Sequence, residues 1–134
     1  MRLDTPTVNG LHAVPANVTT LRATMAGAHD VWRVMAFAPA AMPDKAAWLA
    51  ALADALQFPS SFGRNWDAAA DSLQDLGWLP WQRLVLEVRG AETFLLTDEG
   101  RTALEVLAEA ATYWKTHGRV FVVLIDGLPG AMGA

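Results

Sequence analysis

The stretch RVFVVLI, residues 119–125, decides the fold. It does not alternate, so a strand built from it turns apolar side chains to both faces. That is what a parallel sheet covered by helices on both sides requires. A second run, RLVLEVR at residues 83–89, points Leu84, Leu86 and Val88 one way and Val85, Glu87 and Arg89 the other. A third, VWRVMAF at residues 31–37, has the β-branched and aromatic content of a strand.

Helical patterns separate these runs. Residues 44–56 begin near Asp44 and place Trp48, Leu49, Leu52, Ala55 and Leu56 on one face. Pro39 and Pro43 bracket the loop before them. Residues 91–96 read as one or two helical turns. Thr97 can cap the next helix, with Asp98 and Glu99 well placed in its first turn. Leu104, Leu107, Ala108, Ala111 and Trp114 form its buried stripe, and Gly118 is its stop signal. Connections that contain helices imply parallel pairing with right-handed crossovers. The expectation is a small, three-layer-like α/β domain over residues 31–126, with a three-stranded parallel sheet.

Residues 1–30 form an N-terminal extension. Residues 1–9 read as a loose polar entry, residues 10–14 as a candidate fourth strand, and Val18, Leu21 and Met25 as one face of a short helix. Residues 127–134 read as a flexible tail.

Composition narrows the function. The chain of 134 residues is 53% apolar and 18% charged, which excludes intrinsic disorder and suggests one well-filled core. It has no cysteine, hence no disulfide and no thiolate metal site. A net charge of −4 argues against non-specific nucleic-acid binding, which needs a basic footprint. Neither a secretory leader nor a membrane span is legible, so a cytoplasmic protein is expected. HExxH, GxSxG, GxGxxG and P-loop patterns are absent, and the three histidines stand alone. No catalytic residue, metal site or cofactor is expected, and an enzyme is the weakest reading.

The chemistry gathers instead in residues 58–79, FPSSFGRNWDAAADSLQDLGWL. A Pro/Ser/Gly loop runs into a helix that Asn65 can cap and Gly77 can stop. On a helical wheel Trp66, Ala69, Ala70, Leu73 and Leu76 share one side. Asp67, Asp71 and Asp75 share the other, each four residues from the next. No Lys or Arg lies between Asn65 and Gln82. Like charges at this spacing destabilise a helix by a few tenths of a kcal/mol, and only Asp67 has the helix dipole in its favour. The ridge is either a solvated face or a surface kept anionic for a basic partner.

Pro59, Phe62-Gly63, Asn65, Asp67-Ala68, Asp71, Leu73 and Trp78 resemble the signature of the barstar family, the intracellular inhibitors of barnase-type ribonucleases. The resemblance implies the same α/β architecture. It also implies a loop and helix that plug a nuclease active site with acidic and aromatic side chains. Asp71 matches the family's central acidic contact and Asp67 the acidic residue one turn earlier. Gly63, Asn65 and Trp78 match the loop glycine, the helix-start asparagine and the tryptophan after the helix. Arg64, Gln74 and Asp75 complete the expected partner-binding set. Some positions depart from the pattern: Ser61 and Ala70 stand where aromatic contacts are expected, Arg64 replaces an acidic residue, and Ala110, beside Glu109, takes the place of a later acidic contact.

Two binding readings stay open. One is an inhibitor or antitoxin of a basic ribonuclease, monomeric when free. The other is an interaction module of the same shape whose partner is not a ribonuclease.

Overall fold

The computed structural model describes residues 1–38 and 43–129, so Pro39 and the end of the expected tail lie outside the described residues. After a 3-10 turn at Pro6–Val8, the order is β1 (Gly10–Ala13), α1 (Val18–Ala23), β2 (Asp30–Ala36), α2 (Lys45–Leu56), α3 (Trp66–Leu73), β3 (Arg83–Arg89), α4 (Glu92–Leu95), α5 (Asp98–Thr116) and β4 (Val120–Ile125). The expected three-stranded sheet has four strands. All pair in parallel, in the order β1-β4-β3-β2.

The fourth strand is β1, and it changes the position of β4. Gly10 to Ala13 pair with Val122 to Ile125, so β4 is an inner strand with β3 on its other side. Every residue of β4 is buried, as a run apolar on both faces demands. On the front face Phe121, Val123 and Ile125 join Leu84, Leu86 and Val88 beneath α2, α3 and α5. On the back face Val120, Val122, Leu124 and Val85 pack with Leu21 of α1, with Leu3, and with the partly buried Trp32.

The helices obey their caps. Asp44 accepts from the Ala47 amide at 2.8 Å and Thr97 from the Gly100 amide at 3.1 Å. Gly118 ends α5 in the left-handed region at φ 74°. Gly100 permits a close approach, because a Cβ there would collide with the Phe94 carbonyl and so keep α4 from seating against α5.

The N-terminal entry, expected to be loose, is anchored. Leu3 is only 2% exposed. Asn9 donates to the Ala111 and Arg119 carbonyls at 3.1 and 2.9 Å and accepts from the Phe121 amide at 2.8 Å. One side chain thereby ties the entry to α5 and to the start of β4. Arg83 adds a further tie, donating to the Leu3 carbonyl at 3.3 Å.

Arg83 also makes a two-pronged ion pair with Asp30, Nε to Oδ1 at 2.7 Å and a terminal nitrogen to Oδ2 at 2.6 Å. These two residues are the first register pair of β2 and β3. The hydrogen bond from Arg83 is the main cause that holds the Asp30 carboxyl below its ordinary range, against the opposing effect of its burial.

Truncating Leu3 to Ala should lower the unfolding free energy by about 2 kcal/mol, through lost burial and a residual cavity. A urea midpoint that does not move would show that the segment does not dock. Asp30→Asn should cost about 2 kcal/mol at neutral pH, because the pair is only partly exposed. A carboxyl with a lowered folded pKa stabilises above its unfolded pKa and loses that effect as pH falls through the folded value. The gap between wild type and Asp30→Asn should therefore close as pH drops below the ordinary aspartate range. Urea midpoints measured along an acid series check this.

Candidate functional site

Residues 57–79 form one continuous segment of the front layer, from the end of α2 through α3 to the turn beyond it. The chain leaves α2 through Gln57 in the left-handed region, φ 56°. The Phe58 amide still reaches the Ala53 carbonyl at 2.9 Å. Phe58 then sits between Phe62 and Trp78, edge-on to both, with ring centres 5.0 and 5.9 Å away. Trp78 donates its indole N–H to the Leu56 carbonyl at 2.8 Å. Its polar end is thus spent inside the molecule, where it clamps the exit of the segment to its entrance. Trp78 serves the scaffold first.

Asn65 caps α3 as expected, its Oδ1 accepting from the Ala68 amide at 2.7 Å and its amide donating to the Gly63 carbonyl at 3.3 Å. The left-handed backbone of the loop is not at Gly63 but at the next residue: Arg64 has φ 53°. A side chain in this region costs about 1–2 kcal/mol. Leu76 is a third such residue, at φ 51°. Among the described residues Gln57, Arg64 and Leu76 are the non-glycine residues with positive φ, and all three lie in this one segment. Strain of this kind concentrates at functional sites when the surrounding structure holds it in place.

The helix is shorter than the wheel assumed. It ends at Leu73, with Gln74 as its half-buried cap. The cause is tertiary. Trp114 of α5 donates its indole N–H to the Leu73 carbonyl at 2.7 Å, taking the acceptor that a continuing helix would offer to Gly77. The Gly77 amide is bonded instead to Asp75 Oδ1 at 3.1 Å. Asp75 therefore lies in the turn beyond the helix, not on its last turn. Leu76 is fully buried, but it reaches the core from that turn.

Asp67 and Asp71 remain as the helical part of the ridge. Both are exposed, and they lie one turn apart. Among the described residues no Lys or Arg forms an ion pair with Asp67, Asp71 or Asp75; the pairs present are Arg2–Asp4, Arg83–Asp30 and Arg89–Glu87. Beneath the ridge Ala69 and Leu73 are completely buried. Gly63 and Arg64 are exposed at the start of the same surface. Arg64 borders a shallow groove of 410 Å³ with Asp54, Gln57 and Phe58. Ser61 is exposed, Ala70 half-buried, and Ala110 fully buried, so the carboxylate next to that position, Glu109, is the one turned outward there.

The family model of barstar, described as a barnase inhibitor, matches residues 32–126. The chain belongs to the barstar family. The matched segment runs from β2 through β4 and includes the whole acidic loop–helix segment; β1, α1 and the docked entry lie before it. A comparison with curated proteins found no match.

Two features of this barstar-family chain were not legible beforehand. Trp66, on the apolar side of the wheel, packs partly buried against the core, and its indole N–H donates to Glu99 Oε2 at 2.8 Å with the Lys45 ammonium 5.7 Å above its ring. Glu87, on the face of β3 opposite Leu86, is 2% exposed, held by Trp32 Nε1 at 3.1 Å and by Arg89. The bond that Arg89 donates to Glu87 is the leading reason that its guanidinium is shifted above its ordinary value. Both arise from contacts across elements, for which spacing along the chain carries no signal. Among the described residues no group of three or more potential ligands could hold a metal, and no helix is long and apolar enough to cross a membrane.

Proposed function

We propose that this protein is an intracellular inhibitor of a basic, barnase-type ribonuclease, an antitoxin that protects the cell that makes it. It acts as a cytoplasmic monomer, without cofactor or turnover. The family supports a protein-binding role. The observation that carries the finer reading is the pair Asp67 and Asp71, exposed and without an ion-pair partner among the described residues, on a helix fixed at both ends.

A ribonuclease active site holds a polyanion and stabilises developing charge on phosphorus, so it concentrates Arg, Lys and His. A rigid acidic helix fits those subsites. Carboxylate–guanidinium bonds supply geometry, and the opposed fields speed the encounter. Asp71 is the central contact and Asp67 its neighbour one turn back. Asn65 and Gly63 set the loop that enters first. Gln74 and Asp75 lie toward the rim, where Asp75 acts chiefly on association rate. Trp78 contributes by holding the segment's two ends together.

A second reading is favoured by Ser61 and Ala70. Without aromatic side chains there, the surface is flatter and more purely electrostatic. That would suit a basic partner other than a ribonuclease.

Asp71→Ala should leave a nuclease cation unpaired in the complex. The expected loss is about 2–5 kcal/mol of binding, the range characteristic of truncated charge pairs at interfaces, the barnase–barstar pair among them. It should appear mainly in the dissociation rate. Folding should hold or improve slightly, since a like-charge pair is relieved. Inhibition of a panel of basic microbial ribonucleases, read beside the urea midpoint, tests this. Retained inhibition, or loss that merely follows unfolding, would contradict it; binding only to non-nuclease basic proteins would favour the second reading.

A further inference from the structure

Trp66, Glu99 and Lys45 meet at the start of α3, one position before Asp67 and outside the ridge itself. Glu99 sits in the first turn of α5, where the dipole welcomes a carboxylate. The indole N–H of Trp66 binds Oε2 of Glu99 and leaves Oε1 available, so the ring and the carboxylate form a fixed corner. Lys45, 5.7 Å above that ring, is the first residue of α2. A cation there opposes the helix dipole. Its ammonium makes no ion pair within the described residues. An aromatic face with a carboxylate at its edge suits a guanidinium better than an ammonium, because the planar group can stack and pair at once.

From this geometry we infer that Trp66 and Glu99 are a receptor for one arginine side chain of the partner, and that Lys45 occupies it in the free protein as a displaceable stand-in. The inference rests on the proposed basic partner. It adds a contact next to Asp67 that compensates for the aromatic side chains missing at Ser61 and Ala70. Lys45 then lowers affinity in proportion to how well it fills the corner, and it discourages partners that lack an arginine at that place.

The test begins without a partner. N-acetyl-argininamide is titrated into the full chain while the Trp66 indole N–H resonance, assigned by its loss in Trp66→Phe, is followed. A saturable shift is expected. Lys45→Met, which keeps the stem and removes the charge, should reach half-saturation at about two- to fivefold lower concentration, the factor of a partly exposed cation–ring contact. Glu99→Gln should weaken the response, and Glu105→Gln, on the same helix, should not. Equal half-saturation in wild type and Lys45→Met, or equal effects of Glu99→Gln and Glu105→Gln, would overturn the inference. With an inhibited nuclease in hand, Lys45→Met should also slow dissociation by a similar factor. Should no nuclease bind, the proposed function fails while the argininamide result still decides this point.

Discussion

A central strand with apolar side chains on both faces, β4, must be covered twice, and the rest of the molecule follows from that requirement. β4 is buried throughout, and β3 beside it is buried from Leu84 to Val88. The front is closed by α2, α3 and α5, which arrive through the crossovers between β2, β3 and β4. The back is closed by α1, by the N-terminal entry through Leu3, and by Trp32 at the sheet edge. The segment before the family match is thus part of the same sheet and core. Without β1, the strand with the most apolar sequence would present an open edge, which is an invitation to pair with another chain.

The acidic segment is a consequence of the front layer's rigidity. A short helix with like charges one turn apart has little stability of its own. Here Asn65 fixes one end, and the indole of Trp114 takes the last carbonyl at the other. Buried Ala69 and Leu73 hold the middle. The three strained residues around the helix set how the segment leaves and rejoins the body. Carboxylates that would cost a free peptide some helicity are therefore held in place ahead of any partner, and preorganisation of this kind lowers the entropic cost of binding.

Much of the architecture was legible because it is written in local pattern. The runs at 31–37, 83–89 and 119–125 coincide within one residue at each end with β2, β3 and β4, and the caps at Asp44, Asn65 and Thr97 act as their side chains suggest. What escaped depends on partners distant in sequence. A polar-looking entry docks through one leucine and one asparagine whose acceptors lie on α5 and beside β4. The end of α3 moved from Gly77 to Leu73 because a tryptophan forty-one positions away claimed its carbonyl. The same shift took Asp75 off the helix. On the acidic segment, the exposed helical positions of Asp67 and Asp71 were readable, whereas the corner made by Trp66, Glu99 and Lys45 was not, since it joins three helices.

The central claim is that the Asp67–Asp71 surface occupies the phosphate-binding subsites of a basic nuclease. Competition tests it most directly. A barnase-type ribonuclease inhibited by this protein is titrated with it calorimetrically, in the absence and presence of a mononucleotide that fills the nuclease active site. The account predicts an apparent Kd that rises in proportion to nucleotide occupancy. An affinity indifferent to the nucleotide would place the protein elsewhere on the enzyme and contradict the account.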